Sequence, residues 1–168
     1  MAKYTFTVGE KLTAARTNNF CQEGEVVNTS LSTTAGEPGG AWEAWTPTPV
    51  NVTNTTATGR YLQIGKTVFF WARIELTGTS SVSGAIGLDL PVTAQTNVLS
   101  AQFDCHCVDT NLLRWYPALA IATTTTSLTV RAINAGSTYA YSVDTSSTIP
   151  FTWTDDDAIE VGGTYEAG

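Results

Sequence analysis

The densest group of ligating and nucleophilic side chains is Asp104-Cys105-His106-Cys107, which holds the chain's single histidine. Successive side chains on an extended strand point to opposite faces. If this run is a strand, Cys105 and Cys107 share one face and His106 takes the other. The three then fail to converge on one ion, and the imidazole cannot activate either adjacent thiol. A structural zinc site wants four ligands with loop-type spacing, and Cys21 adds only one more candidate. The expectation is small buried thiols, with no metal and no cofactor.

Asp155-Asp156-Asp157 is the one acidic cluster. Its spacing departs from the alternating oxygen ligands of a calcium loop, so a solvated turn between two strands is expected. A carboxylate pair for glycoside hydrolysis would draw on Glu43, Glu75 or Asp104, but no spacing selects a pair. The chain has no G-x-S-x-G elbow and no phosphate-cradling glycine loop. These residues therefore describe a binding or structural module without a catalytic centre. A polysaccharide-degrading enzyme that depends on Asp104 ranks last among the alternatives.

Charge narrows the partners. Eight basic and fifteen acidic residues leave a formal net charge of −7. The basic residues are scattered, so neither the positive footprint of a nucleic-acid binder nor a polybasic membrane contact is expected. No run reaches the ~20 apolar residues of a membrane span. MAKYTFTVGEKL lacks the apolar core of a signal peptide. Three cysteines do not make a paired framework, so folding in a reducing cytosol is expected. The N-x-S/T triplets at Asn28, Asn51 and Asn54 then read as Thr-rich loops.

Charged residues make up only 14% of the chain, against roughly 25% in typical domains. Thr, Ser, Asn and Gly replace them, and that exchange favours strands and turns. Residues 1–40 read as an attachment arm and linker. They hold a short alternating run, then a helical spacing of Leu12, Ala15 and Phe20, then the Pro38-Gly39-Gly40 stop. Tyr4, Phe6, Leu12 and Phe20 are the arm's candidate docking residues.

Residues 41–168 are expected to form roughly eight strands, packed as an antiparallel β-sandwich of jelly-roll type. WEAWTPTPVNVT suits a sheet edge, because Pro47 and Pro49 cannot donate to a ladder. GRYLQIG and KTVFFWARIEL form a hairpin turning at Gly65-Lys66. AIGLDLPV, LSAQFDCHCV, LRWYPALAIA, SLTVRAIN, TIPFTW and DAIEVGGTYEA complete the set. In the second hairpin strand Val68, Phe70, Ala72, Ile74 and Leu76 share one face, and Phe69, Trp71, Arg73 and Glu75 the other. Monomers seldom leave large aromatic patches in water. Phe69 and Trp71 are therefore candidate oligomer-interface residues, with coverage by the arm or the Pro-rich segment as the alternative.

Several stretches together resemble one family. They are W-x-x-x-T-P-T around Trp45, T-G-R-Y-L-Q-I-G-K-T-V-F-F, L-D-L-P-V, and I-P-F-T-W-T-D-D-D-A-I-E-V-G-G-T-Y-E-A. Matching positions include Gly59, Arg60, Tyr61, Ile64, Gly65, Lys66, Val68, Leu90, Pro91, Pro150, Phe151, Trp153, Asp157, Gly163, Tyr165 and Glu166. The family is the C-terminal β-domain of minor tail proteins and tail fibres in phages of actinobacteria. F-T-V-G-E-K-L-T-A-A-R-T-N-N-F is similar to the phrase that opens many such proteins, which carry an acidic residue and Asn where this chain has Arg16-Thr17-Asn18.

The resemblance implies a virion surface protein, assembled in the host cytoplasm. It implies a homotrimer attached to other virion proteins through the arm and contacting the host envelope. The implied ligand is a host surface polysaccharide stacked on exposed aromatics, with Trp115, Tyr116, Tyr139 and Tyr141 as candidates. A capsid decoration protein that stabilises the head is the alternative reading.

Overall fold

The computed structural model describes residues 42–136 and 138–168; the arm with Tyr4, Phe6, Leu12 and Phe20, its expected helix and Cys21 lie outside them. The described residues form ten strands: β1 (Glu43–Trp45), β2 (Pro49–Val52), β3 (Thr55–Ile64), β4 (Thr67–Leu76), β5 (Val82–Asp89), β6 (Gln102–Asp109), β7 (Arg114–Ala122), β8 (Ser127–Asn134), β9 (Tyr141–Asp144) and β10 (Ala158–Glu166). The only helical element among the described residues is one 3-10 turn, Thr96–Val98. The fold is all-β and antiparallel.

Nine strands follow one hydrogen-bonded path, β1-β3-β4-β10-β6-β7-β8-β5-β2, and β9 pairs with β8 beside β5. That order forces the sheet to curl. β2 lies at one end of the path and β3 next to the other end, yet only residues 53 and 54 join them. Two residues cannot cross an open sheet of this width, so the ends must come together. They meet at a corner where Thr53 donates its N–H to Ser81 O (3.1 Å) and Thr77 donates to Asn54 O (2.8 Å). Asn54 and Gly78 take positive φ there, 50° and 60°, which Asn and Gly tolerate best.

The concave side is the core. β4 contributes Val68, Phe70, Ala72, Ile74 and Leu76, all buried, as the alternation of that run requires. Ile159, Val161 and Tyr165 face them from β10; Ile86 and Leu88 from β5; Leu128 and Val130 from β8. Each such side chain contributes about 1.5–3 kcal/mol through its removal from water. The β3–β4 turn end closes on edge-to-face ring contacts: Trp45–Phe70 at 6.4 Å, Phe70–Phe103 at 5.3 Å and Phe70–Tyr165 at 5.7 Å between centroids.

Where β5 splays away from β8, the buried Thr145 fills the gap. Its hydroxyl accepts the Ile86 N–H at 2.8 Å and donates to Val130 O at 3.1 Å. An orphaned backbone donor is thereby satisfied in the interior.

Three sequence expectations need correction. The run WEAWTPTPVNVT is not one edge strand: it breaks at Thr46–Thr48 into β1 and β2, which take the two opposite edges of the sheet. Pro49 still sits on an edge, where its missing N–H costs no ladder bond. TIPFTW is not a strand; it belongs to a loop with only a Ser146–Ile149 bridge and a cis Ile149–Pro150 bond. The Asp155–Asp157 turn is not simply solvated, because Asp157 is completely buried.

Candidate functional site on the convex face

The convex face carries the side chains that the core does not absorb. On β4 these are Phe69, Trp71, Arg73 and Glu75, as the alternation predicts. Phe69 and Trp71 remain 37% and 36% exposed. Trp42 stands before β1 and is 47% exposed. The Arg60 guanidinium on β3 lies 5.3 Å from the Trp42 ring centroid and 5.8 Å from that of Trp71. One cation thus bridges two indoles. Each contact is worth about 0.5–1 kcal/mol at an exposed site, so the strip is ordered, yet it leaves its aromatics in water.

Immediately across Trp71 from Arg60, the register places Gly162 of β10 and then Asp104 of β6. Two residues along, Arg73, Glu160 and His106 form the next row on the same face. Gly162 has no side chain, so the sheet surface dips there. An open groove of about 280 Å³ results, lined by Trp71, Asp104, His106, Glu160 and the backbone of residues 161–163. A Cβ at position 162 would stand 3.7 Å from Trp71 Cδ1 and 3.3 Å from Phe70 O, so any side chain would begin to fill the depression.

The charges around the groove are held differently. Arg73 donates to Glu75 Oε2 at 2.9 Å and to Glu160 Oε1 at 2.5 Å. Burial of the Arg73 guanidinium opposes its charge, but the two carboxylates outweigh that, and its pKa is raised above the usual Arg value. Glu160 is therefore fixed in place. The side chains of Asp104 and His106 have no hydrogen-bonded partner among the described residues, and both residues are exposed. They are free to meet a ligand.

His106 faces out while Cys105 and Cys107 face in, as the spacing predicts. Both thiols are buried and unpaired. Burial raises the Cys107 pKa to about 12 and that of Cys105 further still, so neither is a ready nucleophile.

The remaining predicted residues separate. Trp115 (62% exposed), Tyr139 and Tyr141 project near the end of the sheet that carries the β6–β7 and β8–β9 turns. The β6–β7 turn also exposes Leu112 and Leu113, the latter at φ 52°. Tyr116 turns the other way and packs on Phe151 at 4.9 Å, which in turn meets Trp153 at 4.5 Å. It serves the core margin and does not join the exposed three. Glu43 accepts the Tyr61 hydroxyl at 2.7 Å, a contact that raises the tyrosine pKa.

Asp157 is a structural staple. Its Oδ1 accepts the Thr110 N–H and hydroxyl at 3.0 and 3.3 Å, and its Oδ2 accepts the Thr154 N–H and hydroxyl at 2.6 and 2.9 Å. Asp155 accepts the Gly78 N–H. The acidic cluster thus clasps three loops. No group of His, Cys, Asp and Glu among the described residues is arranged to hold a metal ion. None of their helices is long and apolar enough to cross a membrane.

Sequence reasoning placed Trp71 and His106 on strand faces but did not bring them together. The available signal was Gly162-Gly163 inside a strand pattern, which marks a close approach or an opening in a sheet.

A scan against protein-family models, a search of curated proteins and a search of solved structures each found no match.

Proposed function

We propose that the chain is a bacteriophage virion structural protein of the minor tail or tail-fibre type, displayed on the particle surface and used in host attachment. The exposed aromatic strip Trp42–Arg60–Trp71, continued by Phe69, is the observation that carries this reading. It lies opposite a complete core, so folding does not need it. Ordered apolar groups kept in water mark a surface used for contact.

The resemblance noted in the sequence supports the assignment, and its residues occupy coherent places. Gly59 to Val68 lie in the β3–β4 hairpin under the strip, and Asp157 leads into β10, which holds Gly163, Tyr165 and Glu166 beside it. In this reading the curled sheet is the closed form of a jelly-roll-like sandwich, and residues 1–40 are the attachment arm. Phe69, with Leu62 opposite it in register, forms a contact between copies in a homotrimer. Trp71 stands at the margin of that contact. Trp115, Tyr139 and Tyr141 are displayed with the turns at one end of the sheet, where host surface polysaccharide would be met. The function is binding without turnover.

Immunogold labelling of assembled particles tests the proposal. Label at the tail tip or fibres is the expected result. Label on the head would replace the tail assignment with capsid decoration, and the absence of label on intact particles would overturn the virion reading.

A further inference from the structure

The groove over Gly162 has a chemistry of its own. One wall is an indole, the floor is bare backbone, and the opposite wall is a carboxylate and an imidazole whose side chains have no partners among the described residues. Binding sites commonly pair an apolar surface with a few placed polar groups, and this groove is a small example.

We propose that the groove binds a neutral pyranoside, such as one sugar unit of a glycan. The proposal rests on the reading of the chain as a host-attaching surface protein and adds to it a subsite for one sugar unit, separate from Trp115, Tyr139 and Tyr141. Three observations select the class. The first is size: about 280 Å³ lies just under the roughly 300 Å³ at which drug-sized pockets begin, so one ring is held and a longer chain leaves by the open side.

The second is charge. Arg60 and Arg73 flank the groove toward β3 and β4, while Asp104 and Glu160 flank it toward β6 and β10. With Glu75 bonded to Arg73, two positive and three negative groups stand around the groove, a balance that disfavours a phosphate and, on so open a surface, holds an ammonium only weakly. The third is hydrogen bonding. A carboxylate only accepts, and a neutral imidazole both donates and accepts. Asp104 and His106 therefore suit neighbouring hydroxyls, each both donor and acceptor. The apolar C–H face of the ring then lies on Trp71, whose other neighbour is the Arg60 guanidinium.

The test is a titration of the full ¹⁵N-labelled chain with methyl glucoside, methyl galactoside, methyl mannoside and their neutral oligosaccharides. Oligogalacturonate and chitosan oligomers serve as the anionic and cationic comparisons. Amide signals of Gly162 and Gly163 and the Trp71 indole N–H should shift with at least one neutral sugar, with a dissociation constant of order 1 mM. Trp71→Ala and Asp104→Asn should each weaken that binding at least tenfold while circular dichroism stays unchanged. Gly162→Val should abolish it by filling the floor; if that variant does not fold, Gly162→Ala should weaken it severalfold.

Shifts confined to Trp115, Tyr139 and Tyr141 would overturn the proposal, as would a preference for a charged oligomer or no response to any sugar. Particle labelling is independent of all these outcomes, so failure of the subsite and failure of the virion reading remain distinguishable.

Discussion

The buried carboxylate of Asp157 accepts the backbone N–H of Thr110 at 3.0 Å, which locks the start of the β6–β7 turn to the loop that leads into β10. The same carboxylate holds Thr154 through two further bonds. Removing it leaves two part-buried backbone donors, those of Thr110 and Thr154, without their acceptor. Asp157→Ala should therefore destabilise the domain by about 2–4 kcal/mol. Urea denaturation followed by circular dichroism measures this, and a loss below about 1 kcal/mol would contradict the staple role.

Two glycines at sheet positions should respond differently to alanine. A Cβ at Gly87 would stand 2.8 Å from Leu128 O, and backbone in a paired strand cannot move aside. A Cβ at Gly162 meets nothing closer than 3.3 Å. Gly87→Ala should cost about 1–3 kcal/mol and Gly162→Ala under about 1 kcal/mol, by the usual scale for overpacking. Thermal unfolding of both variants gives the comparison, and the reverse order would contradict the register.

Burial of Cys107 and Tyr165 lifts both to a pKa of about 12, against ordinary values of 9.0 and 10.0. Below pH 9 each is protonated in both the folded and the unfolded chain. Between pH 9 and 12 the unfolded chain ionises while the folded one resists. Stability should therefore be fully present at neutral pH and fall as pH rises through that window. Equilibrium denaturation at pH 7, 9, 10 and 11 checks the sign. In a Cys21→Ser background, Ellman's reagent at pH 8 should label neither remaining thiol until denaturant is added.

The bridging of Trp42 and Trp71 by Arg60 is exposed, so its loss should be felt by the surface more than by the fold. Arg60→Ala should cost under about 1 kcal/mol of stability but alter the tryptophan fluorescence. A large stability loss in urea titration would mean that the strip belongs to the core after all.

The sequence was legible where local periodicity decides the outcome. The alternation in residues 67–76 separated buried Phe70 from exposed Phe69 and Trp71, and the spacing of Cys105, His106 and Cys107 assigned their faces correctly. It was illegible where non-local pairing decides. Pro47 and Thr48 divide what reads as one edge run, and only the curl of the whole sheet sends β1 and β2 to opposite edges. Asp157 looks like a turn carboxylate until Thr110, distant in sequence, supplies its donors. The groove is the extreme case. Trp71, Asp104 and Gly162 lie on three strands, and only the β4–β10–β6 register makes them neighbours.

The claim that the convex aromatic strip is a contact surface is tested most directly by sedimentation equilibrium of the isolated 17.9 kDa chain beside its Phe69→Lys variant. The account predicts a wild-type mass near three chains and a variant that sediments as one, with the same circular dichroism. A wild-type protein that stays a single chain throughout the concentration range, or a variant that still assembles, would contradict it.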